Sequence, residues 1–109
     1  MLFKEANRIT AEWMGLEPPV WESADQQFEW PDYCRSAEAC KAVKAKLGRE
    51  NCFVQVTWFR AAAFYRFTVL ESDRAGIGEK LTTGPTEELA VVAMVLRLCG
   101  HENVELVEG

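Results

Sequence analysis

Hydrophobic positions recur along the chain with two periods, and each predicts a set of elements. Leu2, Phe3, Ala6, Ile9, Trp13 and Met14 repeat at helical spacing, with Lys4, Glu5, Arg8 and Glu12 between them. This predicts an amphipathic helix over 2–14. Gly15 ends it, and Pro18-Pro19 prevents its continuation. Ala39, Cys40, Val43 and Leu47 form the apolar stripe of a second helix over 36–47, capped by Ser36 and stopped by Gly48. Arg35, Lys41, Lys44 and Lys46 lie largely on its other faces, toward solvent.

The period then changes to two. Cys52, Val54, Val56 and Trp58 alternate with Phe53, Gln55, Thr57 and Phe59, and Tyr65, Phe67 and Val69 alternate with Phe64, Arg66, Thr68 and Leu70. Two strands joined by Arg60-Ala61-Ala62-Ala63 give a β-hairpin over 52–71. Both faces carry large apolar side chains, so layers are expected on both. Ser72 to Gly78 reads as a polar, glycine-bearing connection, and Glu79 to Thr83 as a short third strand. Gly84-Pro85 opens a helix over 85–99, with Pro85 near its first position and Glu87 and Glu88 in its first turn, where acids suit the helix dipole. Leu89, Val92, Ala93, Leu96 and Cys99 form one face, and Val91, Val95 and Leu98 add apolar surface on another. A helix this apolar is either enclosed or meets a partner, and a homo-oligomer through 85–99 is one expectation. Gly100 stops it, and the tail 101–109, with Val104, Leu106 and Val107, is expected to add an edge strand. The fold class that follows is α+β: a small antiparallel sheet of a hairpin plus a short third strand, with helices packed on it as an α/β/α sandwich.

At 109 residues, with 49% hydrophobic and 27% charged side chains, the chain reads as a single folded domain over 1–109. The first residues lack the apolar run and small-residue cleavage site of a secretory signal, and the longest apolar run, Leu89 to Leu96, is far too short to span a bilayer. The expected location is the cytoplasm, with no membrane partner. Cys34, Cys40, Cys52 and Cys99 include no CxxC pair, and His101 is the single histidine. Reduced structural thiols are therefore expected, with no metal.

The net charge of −5 is unevenly spread. Residues 1–34 carry seven acidic and two basic side chains, residues 35–80 five acidic and nine basic, and residues 81–109 five acidic and one basic. An overall acidic chain is a poor match for nucleic acid, whose phosphates call for a basic excess.

The order of elements and their punctuation carry a resemblance. Trp13-Met14-Gly15 ends the first helix, Trp30-Pro31-Asp32-Tyr33 is a proline and aromatic approach, Lys46-Leu47-Gly48 closes the second helix, and Thr83 to Glu88 followed by Leu89-Ala90 opens the last. This succession resembles the bacteriophage family named for its ABA sandwich domain. The resemblance implies a three-layer fold and a phage or prophage origin. It implies no activity, because that family has no common catalytic residues to carry over. The long acidic segment before Trp30 and the tail after Gly100 depart from its pattern.

No constellation for catalysis or cofactor binding emerges. Gly76-Ile77-Gly78 does not open a helix and reads as an ordinary turn, Glu87-Glu88 is explained by the helix N-terminus, and Cys99-Gly100-His101 sits at a helix end. The chain is thus expected not to be an enzyme and to need no cofactor. Two surfaces remain. The segment over 16–33 has no period and interleaves acids with aromatics. Its Trp21, Glu22, Asp25, Phe28, Glu29, Trp30 and Asp32 would present a negative, aromatic patch to a basic groove on a host or phage protein, inhibiting a host defence or housekeeping machine. The bland reading of the same residues is a loop whose aromatics pin it over the core. The alternative surface is basic: Lys41, Lys44, Arg60 and Arg66 beside Phe59 and Phe64, residue types that stack on bases and neutralise phosphates. A purely structural, self-associating role is the third expectation.

Overall fold

The computed structural model describes residues 1–17, 29–73 and 76–109. Its elements run α1 (Phe3–Trp13), α2 (Ala37–Glu50), β1 (Phe53–Phe59), β2 (Phe64–Asp73), β3 (Gly76–Gly84) and α3 (Glu87–Leu98). The three strands form one antiparallel sheet in the order β1-β2-β3, and the helices pack on it, which is the α+β class that the periodicity predicts.

Helix ends follow local chemistry. Beyond α1 the chain reverses at Gly15, whose φ of +86° suits a residue with no Cβ. Ser36 accepts the Ala39 N–H at 3.1 Å and caps α2. α2 does not stop at Gly48, as expected, but runs to Glu50. Gly48 carries no positive φ and faces Val54, and the stop comes from Asn51, whose Nδ2 donates to the Leu47 carbonyl at 2.9 Å. Pro85 likewise lies outside α3. Thr86 is the cap, accepting the Leu89 N–H at 3.2 Å, with Glu87 and Glu88 in the first turn as expected. At the far end Gly100 (φ +94°) lets the His101 N–H reach the Leu96 carbonyl at 2.8 Å and the Gly100 N–H reach that of Arg97 at 3.1 Å, a Schellman turn.

β1 and β2 pair from Phe53↔Leu70 to Phe59↔Phe64 without a bulge, and Ala63 takes a positive φ in the connecting turn. β3 is longer than Glu79–Thr83. Pairing continues through Ser72↔Ile77 and Asp73↔Gly76, so most of the stretch read as a connection is strand. Backbone pairing asks little of side-chain polarity at a sheet end, which is why glycines and polar residues there masked the strand.

Val54, Val56, Tyr65, Phe67 and Val69 face the helices. α3 lies over β2 and β3, α2 over β1, and α1 packs against α3. Ala90, Val91, Val92, Met94, Val95 and Leu96 are fully buried. The apolar circumference of α3 is thus consumed within the domain, which corrects the expectation that 85–99 serves a homo-oligomer. Thr82 Oγ1 reinforces this packing by donating to the Ala90 carbonyl at 2.7 Å.

The second face of the sheet carries Phe53, Gln55, Thr57 and Phe59 from β1, Phe64, Arg66, Thr68 and Leu70 from β2, and Glu79, Leu81 and Thr83 from β3. α2 and α3 pack on the other side and α1 packs on α3, so among the described residues the helices cover one face of the sheet, where the α/β/α sandwich expectation placed them on both. The tail does not join the sheet. Val107 instead forms a single parallel bridge with Leu2, while Val104 and Leu106 pack on the core. Among the described residues no helix is long and apolar enough to cross a membrane.

Candidate interaction surfaces

Of the acidic, aromatic segment, Trp21, Glu22, Asp25 and Phe28 lie outside the described residues. Glu29 is exposed and Trp30 is half-buried against the core. With Phe3, Lys4, Asn7, Asp32, Arg35 and Glu108 they line a cleft of about 290 Å³. Asp32 is occupied within the chain: Oδ1 accepts from Asn7 Nδ2 at 3.0 Å and Oδ2 from Arg35 at 3.2 Å. Asn7 in turn accepts the Cys34 N–H at 3.0 Å. Arg35 also donates to Glu108 at 2.9 Å and lies 5.1 Å from the centre of the Phe3 ring. This end of the segment is an internal clasp, in which Asp32 is held and, among the described residues, Glu29 is the exposed acid without a partner. Asn7 escaped the sequence reading, although a polar residue on the apolar side of α1 was a signal available to it.

The alternative residues separate into two groups. Phe59 and Phe64 stack with centroids 4.9 Å apart, and the Arg66 guanidinium lies 4.7 Å from the centre of the Phe59 ring. The register explains this meeting, because Phe59↔Phe64 and Thr57↔Arg66 are cross-strand pairs on the same face. Arg60 is exposed in the adjoining turn. Lys41 and Lys44 are on the helix side, where they pair with Glu38 at 2.9 Å and Glu87 at 2.6 Å. The basic patch that those six residues were expected to form is therefore not assembled.

What the second face presents is a mixed apolar and cationic surface. Phe53 and Leu81 are 47% and 39% exposed. Arg66 Nε is buried without a hydrogen-bond partner, and among the described residues no carboxylate pairs with Arg60 or Arg66. On the helix face, at the edge of β1, Trp58 is 47% exposed and leans on Tyr65 at 4.6 Å.

The thiols divide in the same way. Cys34 and Cys40 are buried, and Cys40 Sγ lies 2.9 Å from the Tyr33 carbonyl that it can donate to. Burial pushes both thiols up to about 12, aided by Asp32 near Cys34 and by Glu88 near Cys40. Among the described residues no three His, Cys, Asp or Glu side chains gather as a metal site would require.

Comparison with family models, with characterised proteins and with solved structures finds no match to this chain.

Proposed function

We propose that this protein works by binding another protein, without chemistry of its own, and that the open face of the sheet is its docking surface. The observation that carries the reading is the company kept by Arg66. Its guanidinium stacks on Phe59, which is itself stacked on Phe64, on the same face as the exposed Phe53 and Leu81, and among the described residues no acid satisfies it. Aromatic and arginine side chains grouped on one surface are the residue types that anchor protein interfaces. A partner fitting this face is apolar at its centre and offers carboxylates to Arg60 and Arg66.

The bland reading is an ordinary solvated sheet face, since single exposed apolar residues are common. Five large apolar side chains on one continuous face weigh against it. Nucleic acid is favoured less. Phe64 and Arg66 already lie against the Phe59 ring, leaving little of it for a base, and Lys41 and Lys44 are paired on the opposite side. The resemblance to the phage family implies a phage or prophage origin, and on that reading the proposed partner is a host or phage protein in the bacterial cytoplasm, with defence and housekeeping machines among the candidates.

Capture from bacterial lysate tests the reading when two variants are run beside the parent. Phe53→Lys with Leu81→Lys alters the open face, whereas Lys4→Glu with Arg8→Glu alters the exposed side of α1. A partner retained by the α1 variant and lost by the face variant supports the proposal. A partner retained by both places docking elsewhere.

A further inference from the structure

The two edges of the sheet are finished differently. β3 carries Gly76, Gly78, Glu79 and Lys80, and Arg97 reaches from α3 to donate to the Leu81 carbonyl at 2.9 Å. Charges, glycines and a side-chain cap are the usual means of keeping an edge from pairing with another chain. β1 has none of them. Its seven residues, Phe-Val-Gln-Val-Thr-Trp-Phe, contain no charge, proline or glycine, and its ladder with β2 has no bulge. Among the described residues its other edge has no neighbouring strand and nothing hydrogen-bonds to it.

The order of residues along β1 is also self-complementary. By chemical class it reads the same from either end about Val56: Phe53 matches Phe59, Val54 matches Trp58, and Gln55 matches Thr57. From this we infer that β1 pairs antiparallel with β1 of a second copy across a two-fold axis at Val56, joining the sheets into one of six strands. The inference does not depend on the docking reading above.

In this register Phe53 stands opposite Phe59 of the second copy on the open face, and Gln55 opposite Thr57. On the helix face Trp58 covers Val54 of the second copy. Phe53 and Trp58, the two most exposed aromatics of β1, are thereby both covered. Charge selects the same orientation. A parallel pairing would set the two Arg60 side chains together, whereas the antiparallel one sends them to opposite ends, each toward the end where Glu50 of the other copy leaves α2. The arrangement is isologous, as a closed dimer requires. Seven residues of edge pairing make a small interface, so association belongs in the range of about 0.1–1 mM protein.

Sedimentation of the whole chain across that range, with two variants, is the test. Gln55→Glu with Thr57→Glu puts like charges opposite each other twice, and Gln55→Lys with Thr57→Glu puts opposite charges there. Both variants share the Thr57→Glu change opposite Arg66, so the setting of that carboxylate within one chain is the same. The expected result is a parent that dimerises with concentration, a Glu/Glu variant weakened by about tenfold or more, and a Lys/Glu variant that recovers. Hydrogen exchange of the parent supplies a measure free of substitutions, with β1 amides expected to gain protection as concentration rises. A parent that stays monomeric, or a Glu/Glu variant that dimerises like the parent, overturns the inference. So does β1 exchange that is independent of concentration.

Discussion

Asn7 and Asp32 fasten the first helix to the approach of the second: Asn7 Nδ2 donates to Asp32 Oδ1 at 3.0 Å, and Asn7 Oδ1 accepts the buried Cys34 N–H at the same distance. Asn7 is only 8% exposed, so its partners have little water to turn to. Replacing it with alanine strands a buried backbone donor and removes one support of Asp32. The expected loss is about 2 kcal/mol of unfolding free energy, read by urea denaturation. A loss within a few tenths of a kcal/mol of zero would show that water replaces the clasp.

Two glycines make an opposed pair of predictions. A Cβ on Gly84 would sit 2.7 Å from the Ala90 backbone nitrogen and 3.0 Å from the Leu89 carbonyl carbon, at the point where β3 crosses the start of α3. Backbone cannot rotate aside, so Gly84→Ala is expected to cost about 1–3 kcal/mol. At Gly48 the nearest atom to an added Cβ is Val54 Cγ2 at 3.8 Å, an ordinary contact, within a helix. Gly48→Ala is expected to stabilise by about 0.5–1 kcal/mol. Thermal denaturation of both variants checks the signs.

The cysteines give a pH dependence. Cys34 and Cys40 start from an ordinary value of 9.0 and are pushed up to about 12 in the fold, mainly by burial. The unfolded chain therefore loses these two protons above about pH 9 while the native state keeps them to about pH 12. Across that window the unfolded state binds fewer protons, so stability falls as pH rises, by at most about 1.4 kcal/mol per unit for each thiol. Below about pH 9 this contribution is flat. Urea titrations at several alkaline pH values measure the slope. Reactivity follows the same division: Cys52 and Cys99, both exposed, should react with a thiol reagent at about pH 8, and Cys34 and Cys40 only on unfolding. Burial also raises the Cys99 thiol, which slows its reaction at that pH.

Much of the scaffold was legible because its signals are local. Gly15, Ser36 and Gly100 each fix an element end through their own backbone or hydroxyl, and the alternation from Cys52 to Leu70 names two strands. Gly48 and Pro85 misled because their meaning depends on neighbours: Asn51 supplies the stop, and Thr86 the cap. Which sheet face the helices cover was not legible, since Phe53, Phe59, Phe64 and Leu70 are as apolar as Val54, Val56, Phe67 and Val69. Of the candidate surfaces, the Phe59–Phe64–Arg66 group could be found from hairpin register alone. The pairing of Lys44 with Glu87 could not, because it joins two helices that meet only in the packed core.

Side-chain footprinting of the parent protein with and without its captured partner tests the docking face most directly. The account predicts that Phe53, Phe64 and Leu81 lose labelling when the partner is bound, while Trp13 and Trp30, on the helix side of the domain, label as before. Undiminished labelling of Phe53, Phe64 and Leu81, with protection falling on Trp13 or Trp30, would contradict it.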